Sequence, residues 1–222
     1  MAVSLCAVIV DTRFDAQVLA SIANARQHML IGDQIIFMTD KMHWPVARAE
    51  LALLNNVVVS NRSYSAKTIA AYNQLMLSVD FWRLFDTDYV LVFQRDSRFC
   101  AYSRHRLRDF LGESDYIGAP WRRSQINAWV GNGGFSLRNR TAMLRCTGEP
   151  GAIQRRVNED VELANCVLKL GLRLASKQRA SEFAVEAVRL TNHTPLAIHK
   201  AWNYLANDRT LIRLCPEVAS FL

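Results

Sequence analysis

Several features that define other protein classes are missing from this chain of 222 residues. No apolar run approaches the ~20 residues that cross a bilayer as a helix, so no membrane span is predicted. Glycine and proline number only nine and five, which argues against disordered or low-complexity regions. The apolar stretch Met1 to Val10 lacks a preceding basic region, and Asp11 follows it at once. We therefore expect a first core strand there and not a signal peptide.

Cysteine is also scarce and shows no pairing pattern. The five cysteines are scattered and form no CxxC spacing, which argues against a zinc site, and their odd number argues against a disulfide framework. We expect reduced thiols in a cytoplasmic protein. Two of the five, Cys6 and Cys166, lie in apolar runs and are expected to be small core residues.

The composition is that of a folded basic domain. Half of the residues are hydrophobic, which is enough for one substantial core, and the net charge is +7. Such an excess favours anionic partners such as nucleotide phosphates, phospholipid headgroups or nucleic acid, although a solvated basic face without a partner would look the same. No aromatic-interleaved basic stripe or helix-turn-helix pattern favours nucleic acid. The basic clusters are Arg104–Arg108, Arg122–Arg123 and Arg155–Arg156.

The first half of the chain alternates strand-like and helix-like segments. This βαβα order predicts an α/β fold with a mostly parallel sheet and helices on both faces. The predicted strands are Leu5–Val10, Gln34–Met38, Val57–Val59 and the run Tyr89–Ser97. The predicted helices are Ala16–Met29, Val46–Leu54 and Ala66–Leu84, the last with a break near Ser78.

The order changes in the second half. Short strands are predicted at Asp115–Gly118 and Gly134–Leu137, followed by a helix from about Asp160 to Leu170 that Asn158 caps. Another helix is predicted at Ser181–Val188, and the remainder is mixed. We expect one domain over residues 1–222, with a nucleotide-sugar-binding half at about 1–100 and an acceptor-binding and catalytic half at about 101–222.

An acidic residue stands at the end of the run Tyr89–Ser97. In open α/β sheets the ligand crevice lies outside the carboxyl ends of the strands, so Asp96 is predicted to face a site. Alternatively, Asp96 caps the turn after the strand. The features that follow it in order are the glycine-rich turn Gly131–Gly134, the acidic residues Glu159 and Asp160, and His199.

Four short stretches carry a resemblance to a known superfamily: Asp80–Trp82, Asp115–Trp121, Val130–Arg138 and Asn158–Val161. Together with Asp96 and His199 they resemble the GT-A glycosyltransferases, and more closely a little-characterised GT-A-like family of microbial polysaccharide gene clusters. The resemblance covers nearly the whole chain. It implies a GT-A-like domain with a Rossmann-like sheet and sugar transfer from a nucleotide donor, and it does not identify the sugar.

The resemblance also implies a metal site. In GT-A enzymes a divalent ion stabilises the leaving diphosphate and is held by the last acid of a DxD motif. Here the motif reads Gln94-Arg95-Asp96, so only its last acid is present. Asp96 and His199 are the implied ligands of Mn²⁺ or Mg²⁺, and imidazole favours Mn²⁺. A neutral Gln94 and a basic Arg95 predict weakened metal dependence, with Arg95 offsetting phosphate charge. A histidine satisfied in the core is the alternative for His199.

Glu159 and Asp160 match the acidic element where inverting GT-A enzymes place the catalytic base. We assign the base to Asp160, with Glu159 as a substitute or an acceptor ligand, because direct displacement needs a carboxylate near the acceptor hydroxyl. A position at a helix N-terminus is expected to lower the pKa of this base. Ordinary helix capping is the competing explanation for both acids.

Further residues are implied on the donor and acceptor sides. Glycines in the Gly131–Gly134 turn let the backbone approach a ligand closely, and tryptophans stack on sugars or pack in a core. The acceptor-side candidates are Trp121 and Trp129. The donor-side candidates are Asp11, Thr12, Arg13, Lys67, Asn73, Gln94, Arg95, Gly133, Gly134 and Lys200.

The leading hypothesis is an inverting glycosyltransferase. Its donor is expected to be UDP-linked, its acceptor a glycan or lipid-linked glycan, and its location the cytoplasm with peripheral contact at the inner face of the membrane. One alternative is a non-catalytic or degenerate nucleotide-sugar or glycan-binding domain, which the incomplete motif ending at Asp96 favours. A nucleotidyltransferase would carry a glycine-rich and basic phosphate loop after the first strand, and residues 11–15 lack it. No nucleic-acid partner is expected.

Overall fold

The computed structural model describes residues 3–65, 67–154, 157–205 and 207–221. The predicted helix start at Ala66, the basic pair Arg155–Arg156 and the chain ends lie outside the described residues. No helix in the described ranges has the length and hydrophobicity needed to span a bilayer.

Strands and helices alternate through the first half, as the apolar pattern predicts. The strands at Leu5–Val10, Gln34–Met38 and Val57–Val59 are confirmed with the predicted bounds. The second helix begins two residues before its predicted start at Val46. The proline directly before Val46 does not exclude this, because proline fits the first turn of a helix. The elements are β1 (Leu5–Val10), α1 (Ala16–His28), β2 (Gln34–Met38), α2 (Trp44–Leu51), β3 (Val57–Val59), α3 (Ile69–Met76), α4 (Val79–Trp82) and β4 (Tyr89–Phe93).

The second half adds shorter strands and helices. They are β5 (Ser97–Phe99), β6 (Tyr116–Gly118), β7 (Pro120–Gln125), β8 (Ala128–Val130), β9 (Phe135–Asn139), α5 (Arg140–Gly148), α6 (Glu159–Lys169), α7 (Lys177–Phe183), β10 (Ala184–Val185), β11 (Ala197–His199), α8 (Ala201–Leu205) and α9 (Arg209–Leu214).

The central sheet has six strands in the order β3-β2-β1-β4-β9-β6. The first four are parallel and β9 is antiparallel to both neighbours, so the predicted mostly parallel α/β class is confirmed. Successive residues of β1 point to opposite faces. Ala7 and Ile9 pack into the core under α1 and α2, whereas Cys6, Val8 and Val10 pack into the core under α3 to α6. Helices therefore cover both faces of the sheet.

Polar side chains set the helix bounds near the site. Ser78 accepts a hydrogen bond from the N–H of Asp80 and starts α4, which confirms the predicted break at Ser78. The side chain of Asn158 makes no capping bond to α6, contrary to prediction. Instead, Asn73 of α3 accepts from the N–H of Glu159 at 3.2 Å, so α6 is capped from a neighbouring helix.

The predicted helix Ser181–Val188 is wrong. Helix α7 ends at Phe183, and the next two residues pair in parallel with β11. Strand β11 in turn pairs antiparallel with β5, which gives a second sheet in the order β10-β11-β5. The buried residues Ala184 and Val185 form their backbone hydrogen bonds in this sheet, and short apolar runs do not distinguish helix from strand.

The expectation of reduced thiols is also wrong. Disulfides join Cys100 to Cys215 and Cys146 to Cys166, which leaves only Cys6 free. The bond from Cys100 fastens the C-terminal segment to the end of β5, and that of Cys146 joins α5 to α6. The expected cytoplasmic location was argued from reduced thiols, and because two disulfides are present that argument no longer holds. The prediction that Cys6 is a small core residue is confirmed, since it is buried.

Candidate active site

A cavity of about 800 Å³ opens where the strands of both sheets end. The chain reaches it from β1, from the β4–β5 turn, from the Gly131–Gly134 turn, from the start of α6 and from the ends of β10 and β11. This is the crevice that the rule for open α/β sheets predicts. All predicted catalytic, donor-side and metal-side residues line it: Asp11, Thr12, Arg13, Lys67, Asn73, Gln94, Arg95, Asp96, Gly133, Gly134, Glu159, Asp160, His199 and Lys200.

Asp96 and His199 come together at this cavity. Asp96 lies in the turn between β4 and β5, not in the strand itself, and His199 is the last residue of β11. Because β5 and β11 are antiparallel neighbours, the start of one meets the end of the other. Asp96 Oδ1 lies 3.3 Å from His199 Nε2, and the amide oxygen of Gln94 lies 3.2 Å from the same nitrogen.

These atoms suit a divalent cation. Asp96 Oδ1 is buried and faces His199 Nε2 at 3.3 Å without a well-aligned hydrogen bond in the described part of the chain, so a strong acceptor stands beside an imidazole nitrogen. Carboxylate oxygen and imidazole nitrogen together suit Mn²⁺, which takes further ligands from substrate phosphates. Among the described residues, the three-ligand group within 4.8 Å is Cys100, Cys215 and Glu217, whose cysteines are disulfide-bonded and offer no thiolate.

Lys200 adds positive charge to Asp96. Its ammonium lies 3.4 Å from Asp96 Oδ2, and its backbone N–H donates to the Asp96 carbonyl at 3.1 Å. Lys200 has φ of +48°, a left-handed conformation that is uncommon for a lysine and that concentrates at functional sites. Burial by itself would raise the pKa of Asp96, but the contact with His199 and the charge of Lys200 outweigh it and lower the pKa to about 2.

Asp160 lies in the opposite environment. Its Oδ2 accepts from the N–H of Gly133 at 3.0 Å, and its Oδ1 accepts from the N–H of Val161 at 2.8 Å. Burial, and then the negative charge of Glu159, raise the pKa of Asp160 to about 6. The expected lowering by the helix N-terminus is therefore wrong, because the two backbone hydrogen bonds do not compensate for lost hydration.

Glu159 is held by a buried arginine. Both of its carboxylate oxygens contact the Arg138 guanidinium, at 2.7 and 3.1 Å, and both side chains are almost fully buried. Arg138 lies between the rings of Tyr116 and Trp82, at 4.8 and 5.7 Å from their centroids. A bidentate pair of this kind neutralises the charge of Glu159 and fixes its orientation, whereas Asp160 has no ion-pair partner in the described part of the chain. Of the two acids, Asp160 is therefore the candidate for a base, and Glu159 is held in an ion pair.

The glycines of the turn make room for neighbouring side chains of the protein itself. A Cβ on Gly134 would overlap the imidazole of His199, and a Cβ on Gly133 would lie 2.9 Å from Cβ of Asp160. The two glycines let the turn pass between the His199 side and the Asp160 side of the cavity. Close backbone approach was predicted here, but the groups that need it are these two side chains.

The donor-side candidates are partly engaged with each other. Arg13 is paired to Asp11 through two contacts of 2.9 and 3.0 Å, and it is still 60% exposed. Arg95 pairs with Asp15 at 2.8 Å, and its Nε is buried without a hydrogen-bond partner in the described ranges. Lys67 is exposed at the rim. Three cationic side chains thus remain near enough to the cavity to meet phosphate.

The two tryptophans predicted on the acceptor side do not line the cavity. Trp121 in β7 packs near Gly131, beneath the turn. Trp129 in β8 is 44% exposed, and the ammonium of Lys177 lies 3.3 Å from its ring centroid. Both belong to the β7–β8 hairpin, so they are brought together with each other and not with Asp160.

Several cavity residues had no assigned role in the sequence. Glu186, just after β10, lies 3.2 Å from Nδ1 of His199. Arg138, which does not line the cavity but pairs with Glu159, likewise had no assigned role, although a basic residue inside an apolar strand pattern is a signal of a buried ion pair. Rim residues also missed are Asp40, Met42, His43, Tyr64, Thr68, Ile69 and Tyr72.

Comparison with known proteins places the chain in a family. The chain belongs to DUF5672, described as a protein of unknown function, whose model matches residues 55–199. The matched range contains Asp96, Glu159, Asp160 and Glu186 of the cavity and ends at His199. No curated protein shows a significant match to this chain.

Solved glycosyltransferases have a similar fold. The mannosyltransferase PcManGT from Pyrobaculum calidifontis, solved in complex with GDP-Man and Mn²⁺, aligns with a TM-score of 0.56 and 10% identity over 76% of this chain. The apo-form glycosyltransferase GlyE from Streptococcus pneumoniae TIGR4 aligns with a TM-score of 0.52 and 14% identity over 88% of this chain. The alignments cover 53% and 54% of those chains, about half their length. At these identities the likeness shows a glycosyltransferase-like fold.

Proposed function

We propose that this protein is a glycosyltransferase that moves a sugar from a nucleotide-sugar donor to a hydroxyl of a glycan or lipid-linked glycan. The observation that carries the proposal is a single cavity lined by two acids in different surroundings, Asp96 beside His199 and Lys200, and Asp160 at the start of α6 beside Glu159. Pairs of acids whose surroundings separate their pKa values divide the roles of a reaction between them. The likeness to solved glycosyltransferases supports the same class.

Asp160 is the proposed base. With a pKa of about 6 it is ionised at neutral pH and still basic enough to accept the proton of an acceptor hydroxyl. The acceptor oxygen then bonds to the anomeric carbon while the bond from that carbon to the phosphate oxygen breaks. The electron pair of that bond leaves with the nucleoside diphosphate, and attack from the opposite face inverts the configuration.

Asp96 and His199 are the proposed ligands of a divalent cation, which supplies charge neutralisation to the leaving diphosphate when it is bound. Lys200, Arg95 and Arg13 are the proposed protein contributions to the same task. A UDP-linked sugar is the proposed donor. Residues 1–100 are proposed to bind it, and the remainder to bind the acceptor and carry the base.

A thermal-shift panel of UDP-, GDP-, CMP- and dTDP-sugars tests the proposal, each with Mn²⁺ and with a chelator. A ligand that binds the native state stabilises it by mass action, by about 2.7 kcal/mol at a hundredfold excess over Kd. We expect one nucleotide class to raise the unfolding temperature, and more so with Mn²⁺. The absence of a shift with every donor would contradict the proposal. Donor binding without turnover on any acceptor would favour the non-catalytic alternative.

A further inference from the structure

Glu186 is a buried acid at the cavity that the proposed reaction does not use. It follows β10 directly, is 7% exposed and lines the same cavity as Asp96 and Asp160. Because β10 is the parallel neighbour of β11, the end of β10 lies beside the end of β11, where His199 stands. Glu186 Oε1 lies 3.2 Å from His199 Nδ1, the ring nitrogen that faces away from Asp96.

A closed hydrogen-bond network surrounds that nitrogen. The other oxygen of Glu186 accepts from the side-chain amide of Asn132 at 2.7 Å. Asn132 Oδ1 lies 3.0 Å from His199 Nδ1 and also accepts from the N–H of Gly134 at 3.1 Å. Nδ1 therefore faces two oxygen acceptors, one of them charged, just as Nε2 faces Asp96 Oδ1 and the amide oxygen of Gln94. What distinguishes the two nitrogens is how these oxygens are themselves satisfied.

The two sides of the imidazole ring differ in whether the neighbouring oxygens have hydrogen-bond partners of their own. On the Nδ1 side, Glu186 and Asn132 satisfy each other as well as the ring. On the Nε2 side, Asp96 Oδ1 is buried without a hydrogen-bond partner in the described part of the chain. The unsatisfied side is the one that offers a cation a carboxylate and an imidazole nitrogen together.

We infer that Glu186 is a positioning residue, which holds His199 through Nδ1 and thereby presents Nε2 beside Asp96 to a divalent cation. A carboxylate behind a metal-binding histidine fixes the ring orientation and tautomer and raises the basicity of the binding nitrogen. The ring is held sterically by Gly134 and electrostatically by Glu186. The inference rests on the proposed function only in that the cation serves the donor diphosphate.

Binding of Mn²⁺ alone tests the inference, with free Mn²⁺ measured by electron paramagnetic resonance. Glu186→Ala is expected to weaken Mn²⁺ binding 10- to 100-fold, the range seen when such supporting groups are removed. Glu186→Gln is expected to weaken it several-fold, since an amide oxygen still accepts from Nδ1–H but carries no charge. Glu113→Gln is the matched control, because Glu113 is a half-exposed acid paired with Arg179 and does not line the cavity. Its Mn²⁺ affinity is expected to equal that of the wild type.

Unfolding of each variant in chelator separates this role from a merely structural one. A structural role would lower the unfolding temperature and leave the Mn²⁺ affinity of the folded variants unchanged, and that result would overturn the inference. Wild-type affinity in a folded Glu186→Gln would overturn it even if Glu186→Ala does not fold. Absence of Mn²⁺ binding by the wild type would overturn it as well. Binding of the nucleotide-sugar donor, measured in chelator, then tests the proposed function separately from the metal site, because that measurement involves no metal.

Discussion

The two sides of the cavity treat a carboxylate in opposite ways. Asp96, on the side built by the small sheet, lies beside the imidazole of His199 and the ammonium of Lys200, and its pKa falls to about 2. Asp160, on the side built by α6, loses hydration by burial and lies beside the charge of Glu159, and its pKa rises to about 6. The same functional group is thus kept permanently ionised on one side and made a usable base on the other.

The sides also differ in how they are supported. The ends of β10, β11 and the start of β5 hold Glu186, His199 and Asp96, and the Cys100–Cys215 disulfide fastens the C-terminal segment behind them. The start of α6 is held instead by the buried ion pair of Arg138 and Glu159. A covalent bond supports the side with the proposed cation ligands, and a charge pair supports the side with the proposed base.

Removing the base should have the largest effect. Asp160→Asn is expected to lower turnover by about 10²- to 10⁴-fold, the usual contribution of general base catalysis, while donor affinity stays near that of the wild type. Turnover assays with calorimetric donor titration measure both. Unchanged turnover would remove Asp160 as the base.

The pH profile of the wild type sharpens this prediction. Asp160 must be ionised to accept a proton, so kcat/KM is expected to rise with pH up to about 6 and then to level off. The folded pKa lies above the unfolded value of 3.8, so the contribution of Asp160 to stability is present below pH 3.8 and is lost as pH rises through about 6. A rate independent of pH across this window would contradict the assignment.

Removing a disulfide is expected to have the next largest effect, on the free energy of unfolding. Cys215→Ser opens a bridge between residues 115 apart in sequence, which is expected to cost about 5 kcal/mol of unfolding free energy. Cys146→Ser opens a bridge across 20 residues, and about 3 kcal/mol is expected. Urea unfolding under oxidising conditions measures both. If thiol titration of the oxidised, unfolded wild type finds five free thiols instead of one, the bridges do not form.

Breaking the buried ion pair of Arg138 and Glu159 is expected to have a somewhat smaller effect on the free energy of unfolding. Arg138→Met leaves Glu159 buried without a partner and is expected to cost about 3–5 kcal/mol of unfolding free energy. The double variant Arg138→Met, Glu159→Leu is expected to regain most of that stability and to remain slow in turnover, because α6 no longer holds Asp160 in place. Arg145→Met, which breaks an exposed pair with Glu149, is the control and should cost less than about 1 kcal/mol. Wild-type turnover in the double variant would contradict the supporting role.

Much of the sheet and of the cavity could be predicted from local pattern. Continuous apolar runs bounded by turn residues defined β1, β2 and β3, because a fully buried parallel strand needs such a run. Asp96 could be predicted at the cavity because it stands at the end of a strand-like run, whereas its pairing with His199 was implied only by the resemblance and not by local pattern.

What could not be predicted depends on contacts between distant parts of the chain. The partner of Cys100 lies 115 residues away, and no spacing rule connects the two. Glu186 gains its role only because β10 lies beside β11, and a two-residue strand has no pattern of its own. The pKa of Asp160 depends on burial, which outweighs the local effect of the helix start that the sequence does show.

The most direct test of the account is a calorimetric titration of UDP and GDP into the wild type and into Asp96→Ala, each with Mn²⁺ and with a chelator. The account predicts that Mn²⁺ strengthens nucleotide binding to the wild type by at least about tenfold, or about 1.4 kcal/mol, and that Asp96→Ala loses this dependence. Equal affinity of the wild type in Mn²⁺ and in chelator would contradict the assignment of Asp96 and His199 as cation ligands.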